Sequence, residues 1–398
     1  MADLFVNDAP VSRTVARAPH ASLTLFALAM GGFAIGTTEF AAMSILPAFA
    51  RGLGVDEPTA GHVISAYALG VVIGAPVLAV LGARLSRRLL LVLLMALFAV
   101  GNGLSALAPT YGWMLAFRFL SGVPHGAYFG VASLVAASVA PRERRSQAVS
   151  RVLLGLTIAT VIGVPFANTV SLLLGWRWTF GIVAALALLT MALVLGLAPR
   201  DPPHPDASPL RELGALKRRQ VWLTLGIGAV GFGGMFAVYA YLASTLLAVT
   251  GVRATVIPFV LAVFGAGLTA GNVFGGWAAD RFGMRAAGGL LLWSAATLAL
   301  YPFATGHLVT ITLAGFLVAC GGGLSSVLQT RLMDVAGDAQ TLAAALNHSA
   351  FNAANALGPW LGGAAVAAGW GWRSTGWVGC ALALGGFAVW LVAQRDRC

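Results

Sequence analysis

Of the 13 acidic residues in this chain, Glu39 alone lies deep inside a long apolar run, GTTEFAAMSILP from Gly36 to Pro47. A cation stands inside another run: RFLSGVPHGAYFG opens on Arg118 and carries His125 on the same helical face. A lone carboxyl in such surroundings is suited to binding and releasing a proton. Kept charged within a membrane it costs at least ~2.5–3.5 kcal/mol, so it must face a wet cavity, meet a cation or take up a proton. Burial favours its neutral form and a nearby guanidinium favours the carboxylate. Such a balance is tipped when cargo or helix movement changes the surroundings. Glu39 therefore reads as an exchangeable proton carrier and cation anchor, as one half of a fixed Glu39–Arg118 pair, or as a polar patch of cavity wall. Arg118 releases no proton. His125 either relays protons near neutral pH or bonds to the backbone beside Pro124. His348, Asn352 and Asn355 recur at helical spacing and, with Gln329 on another run, either line one cavity or join helices. Phe40 and Met43 are expected as apolar cavity wall.

The elements that must position these groups are membrane helices. The chain has 398 residues, of which 59% are hydrophobic and 9% charged, against about 25% charged in a soluble domain. A helix needs ~20 apolar residues to cross a ~30 Å hydrocarbon core, and twelve runs of that kind fill the sequence: 22–49, 59–82, 89–108, 112–139, 147–173, 177–198, 221–249, 255–279, 286–305, 308–334, 341–368 and 374–394. Of the 24 Lys and Arg, only Arg51, Arg177, Arg253 and Arg373 fall in one alternating set of gaps, and Arg118 falls within a run. The others occupy the alternate gaps and the ends. Basic loops stay on the cytoplasmic side during insertion, so both termini are expected in the cytoplasm. Glu39 then lies about eleven residues, or ~16 Å, from the outer end of its span, and Arg118 about six residues, or ~9 Å, from its own. The net charge of +11 is spread over these loops, where anionic lipid attracts it. That argues for membrane lipid and against nucleic acid as a partner.

Residues 199–220, PRDPPHPDASPLRELGALKRRQ, form the one long connection. It reads as a stiff proline-rich spacer ending in a short basic amphipathic helix. The resulting organisation is a tail over 1–20, a six-helix bundle over 21–198, the linker, a second bundle over 221–394 and a short tail over 395–398. The bundles look duplicated. Gly163-Val164-Pro165 precedes Gly175-Trp176, as Leu357-Gly358-Pro359 precedes Gly369-Trp370, and Arg84 matches Arg281. A duplication about an axis along the membrane normal puts a binding site between the halves, near mid-depth. Pro47, Pro76, Pro124, Pro165, Pro258 and Pro359 are expected to kink their helices. Cys320, Cys380 and Cys398 show neither disulfide nor metal spacing.

Between the eighth and ninth runs stands GGWAADRFGMR, Gly275 to Arg285. Here Gly276 permits a close helix crossing, Asp280 meets a helix N-terminus or an arginine, Arg281 and Arg285 flank it, and Gly283 turns the chain. The corresponding loop of the first half, VLGARLSRR, keeps Arg84 and Arg88 but has Ala83 in place of the acid. GGWAADRFGMR resembles the signature loop of the major facilitator superfamily. RFLSGVPHGAYFG resembles that superfamily's buried-arginine motif, and GLTIATVIGVPFANTV, with Gly155, Gly163 and Pro165, a loose version of its antiporters' glycine–proline motif. Together they resemble the twelve-span drug:proton antiporters, within them the branch of chloramphenicol-resistance and arabinose-efflux-like permeases. The resemblance spans residues 22–394.

It implies an all-α membrane protein of the major facilitator fold, twelve helices in two pseudo-symmetric six-helix bundles. It also implies proton-coupled efflux of a small amphipathic compound, a chloramphenicol-like drug or a sugar-like molecule, by alternating access at the bacterial inner membrane. The loops Arg84–Arg88 and Gly276–Arg285 would act as conformational gates. Uptake with protons fits the same architecture. An enzyme is disfavoured, since no cluster of His, Cys and Asp and no nucleophile elbow stands at an interface, and no phosphate-binding loop supports ATP drive. The expectation is a monomer without cofactor, driven by the proton gradient.

Overall fold

The computed structural model describes residues 21–82, 84–141, 144–202, 216–336 and 340–395. Residues 1–20, the body of the linker, Ala83 and Cys398 lie outside the described residues; of the linker's expected basic helix, Leu216 and Lys217 form a 3₁₀ turn, while Arg219 and Gln220 already open the next long helix. The helices are α1 (Ala21–Ser44), α2 (Glu57–Gly82), α3 (Arg87–Leu107), α4 (Tyr111–Val139), α5 (Gln147–Leu174) and α6 (Trp176–Leu197). After the long connection come α7 (Arg219–Ala240), α8 (Ala254–Phe282), α9 (Met284–Ala304), α10 (Leu308–Val335), α11 (Gln340–Ala365) and α12 (Ser374–Arg395). Eleven of them are long and apolar enough to cross a membrane among the described residues. α11 supplies 26 helical residues more. Every expected run is therefore helical, the runs 22–49 and 221–249 being completed by short further helices at Leu46–Leu53 and over 242–250, and no strand is present among the described residues.

The prolines act in four ways. At Pro47 and Pro124 the helix is interrupted just before the ring, at Ile45 and around Val123, and then resumes. A short π-helical turn, Ala159–Gly163, precedes Pro165, while Pro76 and Pro359 stay within continuous helix. Pro258 corrects the expectation of a kink. α8 opens as a 3₁₀ turn over Ala254–Val256, and Pro258 sits in the first turn of the α-helix that follows from Ile257, where a missing N–H costs nothing, so it starts that helix instead.

Packing repeats between the halves. α5 crosses α1 and α11 crosses α7, each at glycines: a Cβ on Gly155 would strike the carbonyl of Ala29, and one on Gly358 the carbonyl of Gly233. Gly163 is pressed against Thr37 on α1 in the same way. Small residues at such crossings let helix backbones approach where lipid offers no hydrophobic drive. The backbone also corrects one repeat pairing. Gly175 has φ 99° and ψ 155°, and its counterpart is Gly371, with φ 73° and ψ 170°. Each is followed by Trp and Arg. Gly369 has φ 85° and ψ 10° and is a different turn.

The halves meet through α2 against α11 and through α8 against α5. Ser65 on α2 donates to the carbonyl of Ala356 on α11 (2.9 Å). Phe40 lies 6.3 Å from Phe236 and 5.7 Å from Tyr239, ring centre to ring centre. One apolar cluster runs from Phe40, Phe49 and Ile64 into Tyr239, Leu246 and Phe264. These cross-half contacts crowd the depths between the middle of the bundle and the end that carries Arg51 and Arg253.

Candidate functional site

α1 carries two consecutive polar residues into the core, and they turn to different partners. Glu39, 6% exposed, faces the other half: Nδ2 of Asn355 on α11 donates to its Oε1 (3.2 Å). Thr38 faces its own half. Arg118 on α4 is fully buried; its Nη1 donates to Thr38 Oγ1 (3.0 Å) and Ser121 Oγ (3.4 Å), and its Nη2 reaches the Thr38 carbonyl (3.5 Å). Thr38 Oγ1 passes a hydrogen bond to Asn102 Oδ1 on α3 (2.7 Å). The guanidinium also lies over the Tyr67 ring at 4.2 Å and within 5.3 Å of Phe180. The fixed Glu39–Arg118 pair is therefore not formed. Thr38 and two aromatic faces take the cation's side, and an amide from the opposite half takes the acid's.

A polar file continues from there. The Tyr67 hydroxyl is 3.0 Å from His125 Nδ1, so His125 is bonded to a side chain of α2, not to the backbone at the Pro124 kink. His125 stands 6.0 Å from His348, which stacks on Phe129 at 4.9 Å with the rings only 5° from parallel. Arg118, Tyr67, His125 and His348 thus link α4, α2 and α11 beside the acid.

Glu39, Phe40, His125, His348 and Asn352 border one cavity of about 110 Å³, closed on the second half's side by Phe232, Met235, Phe236 and Phe351. Ligand pockets run to ~300–1,000 Å³, so a cargo of that class enters only after the helices part. One acceptor in the lining is left for it: the side-chain oxygen of Asn352 is buried without a hydrogen-bond partner. Three residues expected at the cavity do not border it; Asn355 is fully buried and engaged with Glu39 instead. Met43 is fully buried in the apolar core, and Gln329 is half-buried on α10 away from the cavity lining. A helix face cannot be fixed by depth along the helix, and these two point off the cavity. Tyr67, Thr38, Asn102 and the phenylalanines of α7 were not singled out by the sequence.

At the opposite end of the bundle, Gly283 has φ 52° and turns α8 into α9 as expected. Asp280, Arg281 and Arg285 are exposed and carry no hydrogen bond or ion pair among the described residues. Arg84 is exposed too. Arg88 is engaged locally, its guanidinium on the Leu195 carbonyl and its N–H on Asp201 Oδ1 (3.2 Å). The close crossing belongs to Gly275, not Gly276. A Cβ on Gly275 would strike the carbonyl of Gly323 on α10, whereas one on Gly276 meets nothing within 4 Å. Adjacent helical residues point about 100° apart, and only Gly275 faces α10. Gly275→Ala should therefore lower the melting temperature of purified protein by several degrees, while Gly276→Ala leaves it unchanged. Equal melting of both would refute this assignment.

The comparisons with known proteins agree with this architecture. The sequence model described as Major Facilitator Superfamily matches residues 28–287 and again 223–397. The inner membrane transport protein YdhP of Escherichia coli (strain K12) is 38% identical over 376 residues, covering 94% of this chain and 96% of that protein. A chloramphenicol resistance protein of Streptomyces lividans is 34% identical over 347 residues, 85% of this chain and 87% of its own length. The putative transporter AraJ of Escherichia coli (strain K12) is 31% identical over 341 residues, 85% and 86% of the two chains. In fold, the chain is similar to a bacterial homologue of the human lysosomal transporter Spinster, crystallised inward-facing and unoccupied. The TM-score is 0.75 at 18% identity, covering 95% of this chain and 97% of that one.

Proposed function

The chain belongs to the Major Facilitator Superfamily, and from that premise we propose that it exports a small amphipathic compound in exchange for protons by alternating access. It is a multi-pass membrane transporter, and its relatives place it among inner-membrane proteins. The reading rests on one observation above others: the single deep acid, Glu39, borders a cavity that both halves line and is bonded across the interface to Asn355. Any rocking of residues 21–198 against 221–394 must break or remake that bond. Carboxyl, cavity and moving interface therefore coincide.

The cycle we infer begins with the Arg84 and Asp280 end facing the cytoplasm and the Arg51 and Arg253 end closed. Cargo parts the aromatic wall, places a donor on Asn352, and displaces the proton from Glu39. Arg118 favours the carboxylate at that moment. Its hydrogen bonds to Thr38 hold it one residue away on the same helix, close enough to act by its field without fixing the acid in a pair. The halves then tilt, cargo leaves, and an external proton resets Glu39. The relatives named for chloramphenicol resistance and, in Helicobacter pylori (strain P12), for probable sugar efflux support both the direction and the two cargo classes to try first.

The test is uptake into everted vesicles from a host stripped of its own pumps, with chloramphenicol-like drugs and small sugars in the panel. A true cargo accumulates and discharges the pH gradient as it enters. Accumulation only in right-side-out vesicles would establish uptake instead, and accumulation that survives an uncoupler would remove the proton. Within this cycle Asp280 closes the cytoplasmic end by meeting a helix terminus or arginine that it does not touch in the present state. Asp280→Asn should lower turnover several-fold with cargo affinity little changed, measured as maximal rate against half-saturation. Unchanged turnover would count against the clamp.

A further inference from the structure

A second cavity, about 650 Å³, lies away from the central site, on the outer face of α8, α9 and α10. It exists because the helices present small residues there. Ala270, Ala278, Ala286 and Gly289 leave a trough that Phe274, Phe282 and Trp293 border. Those three side chains are roughly half exposed, so the trough opens toward the bilayer. Its wall is fixed: Trp293 Nε1 donates to the Leu317 carbonyl (2.9 Å). Its floor is fixed as well, since Gly271 on α8 packs against the backbone of Cys320 on α10.

Two features say what the trough accepts. Arg285 is the one charged residue lining it, and it stands at the trough's end, beside the α8–α9 turn, exposed and without a hydrogen bond among the described residues. The trough also has the length of a leaflet. From Phe282 to Ala270 along α8 is about twelve residues, or ~18 Å, against ~15 Å for half of a ~30 Å hydrocarbon core. An apolar slot one leaflet deep, with a cation where the head groups lie, matches a phospholipid of negative charge. Basic pockets between membrane helices recognise such head groups.

We propose that this trough binds an anionic phospholipid, with an acyl chain lying among α8, α9 and α10 and its phosphate at Arg285. The central cargo cavity lies on the other side of α8, bordered by Thr269 and Asn272, so the lipid is bound separately from cargo.

Native mass spectrometry of the purified full chain tests this, with phosphatidylglycerol and phosphatidylcholine of identical acyl chains titrated in turn. Wild type should retain phosphatidylglycerol in preference. Arg285→Gln should weaken that binding about fivefold, the scale of one basic residue's attraction to an anionic surface, and leave phosphatidylcholine unaffected. Gly289→Leu should reduce binding of both lipids, because a Cβ at Gly289 meets no atom within 4 Å and the new side chain fills the trough without disturbing the fold. Brominated phosphatidylglycerol should quench the emission that is lost in Trp293→Phe. Equal retention of the two lipids by wild type, full binding by Arg285→Gln and Gly289→Leu with normal melting, or a dimer that Gly289→Leu dissociates would each overturn the proposal.

Discussion

Glu39→Gln will abolish cargo accumulation against a gradient while leaving protein abundance and melting close to wild type. The substitution keeps the shape and the acceptor: the Gln side-chain oxygen takes the same hydrogen bond from Asn355 that Glu39 Oε1 takes now, at 3.2 Å. What it removes is the ability to carry a proton. One charge moving down 100 mV supplies ~2.3 kcal/mol, enough to hold a neutral cargo at roughly a fifty-fold gradient. With the coupling group gone, that ratio should fall to unity in energised everted vesicles. Exchange of labelled cargo across vesicles with no gradient should continue, because the halves can still rock. Wild-type accumulation by this variant would reject Glu39 as the coupling residue, and loss of downhill exchange as well would mean the residue is structural.

Arg118→Met should separate stability from function in the opposite sense from most core substitutions. The guanidinium is fully buried, and no carboxylate is bonded to it. Its donors go to Thr38 and Ser121, and its Nε has no partner. Replacing buried ionic groups by apolar side chains of similar volume is often neutral or stabilising when no opposite charge is left behind unpaired. Here it orphans nothing, since Thr38 Oγ1 still donates to Asn102 and Ser121 Oγ to the Arg118 position's carbonyl. We therefore expect an equal or higher melting temperature together with at least about a tenfold loss of proton-driven transport. A strongly destabilised variant that still transports would mean that Arg118 is a packing residue.

Both arguments depend on which way side chains face, and that is where the sequence was least informative. The twelve helices were legible because composition and charge alternation act on whole segments, so an error of a few residues leaves the assignment intact. Glu39 and Arg118 were legible because an ionisable residue in an apolar run is rare and costly. His348, Asn352 and Asn355 share a helical face by spacing alone, and the structure brings all three to the interface. Rotation about the helix axis was not legible. In a span that is apolar on every side, no periodic pattern fixes it. Hence Met43 and Gln329 point off the cavity, Gly275 rather than its neighbour faces α10, and Glu39 finds an amide on α11 although Arg118 stood in the same half of the membrane. Tyr67 is the clearest omission. It sits in ISAYALG with no charged neighbour to mark it, yet its ring lies under Arg118 and its hydroxyl meets His125.

The arrangement also assigns a physical reason for keeping Arg118 unpaired. A guanidinium bonded directly to Glu39 would hold the carboxylate ionised through the whole cycle, and the acid could no longer exchange its proton. Thr38, Asn102 and the Tyr67 ring hold the cation in place instead. Its field reaches Glu39, and the carboxyl stays free to follow α11. In the proposed cycle, Asn355 leaves and water arrives when the halves separate, and the balance between proton and charge is reset.

Infrared difference spectroscopy reads that balance directly. Protein cross-linked shut at the Arg51 and Arg253 end, and protein held open there, should differ in a carboxylic acid C=O stretch that disappears in Glu39→Gln. The account predicts that raising the pH converts this band to carboxylate at distinctly different pH values in the two forms. A Glu39 signal that is carboxylate throughout in both forms, or that titrates identically in both, would contradict it.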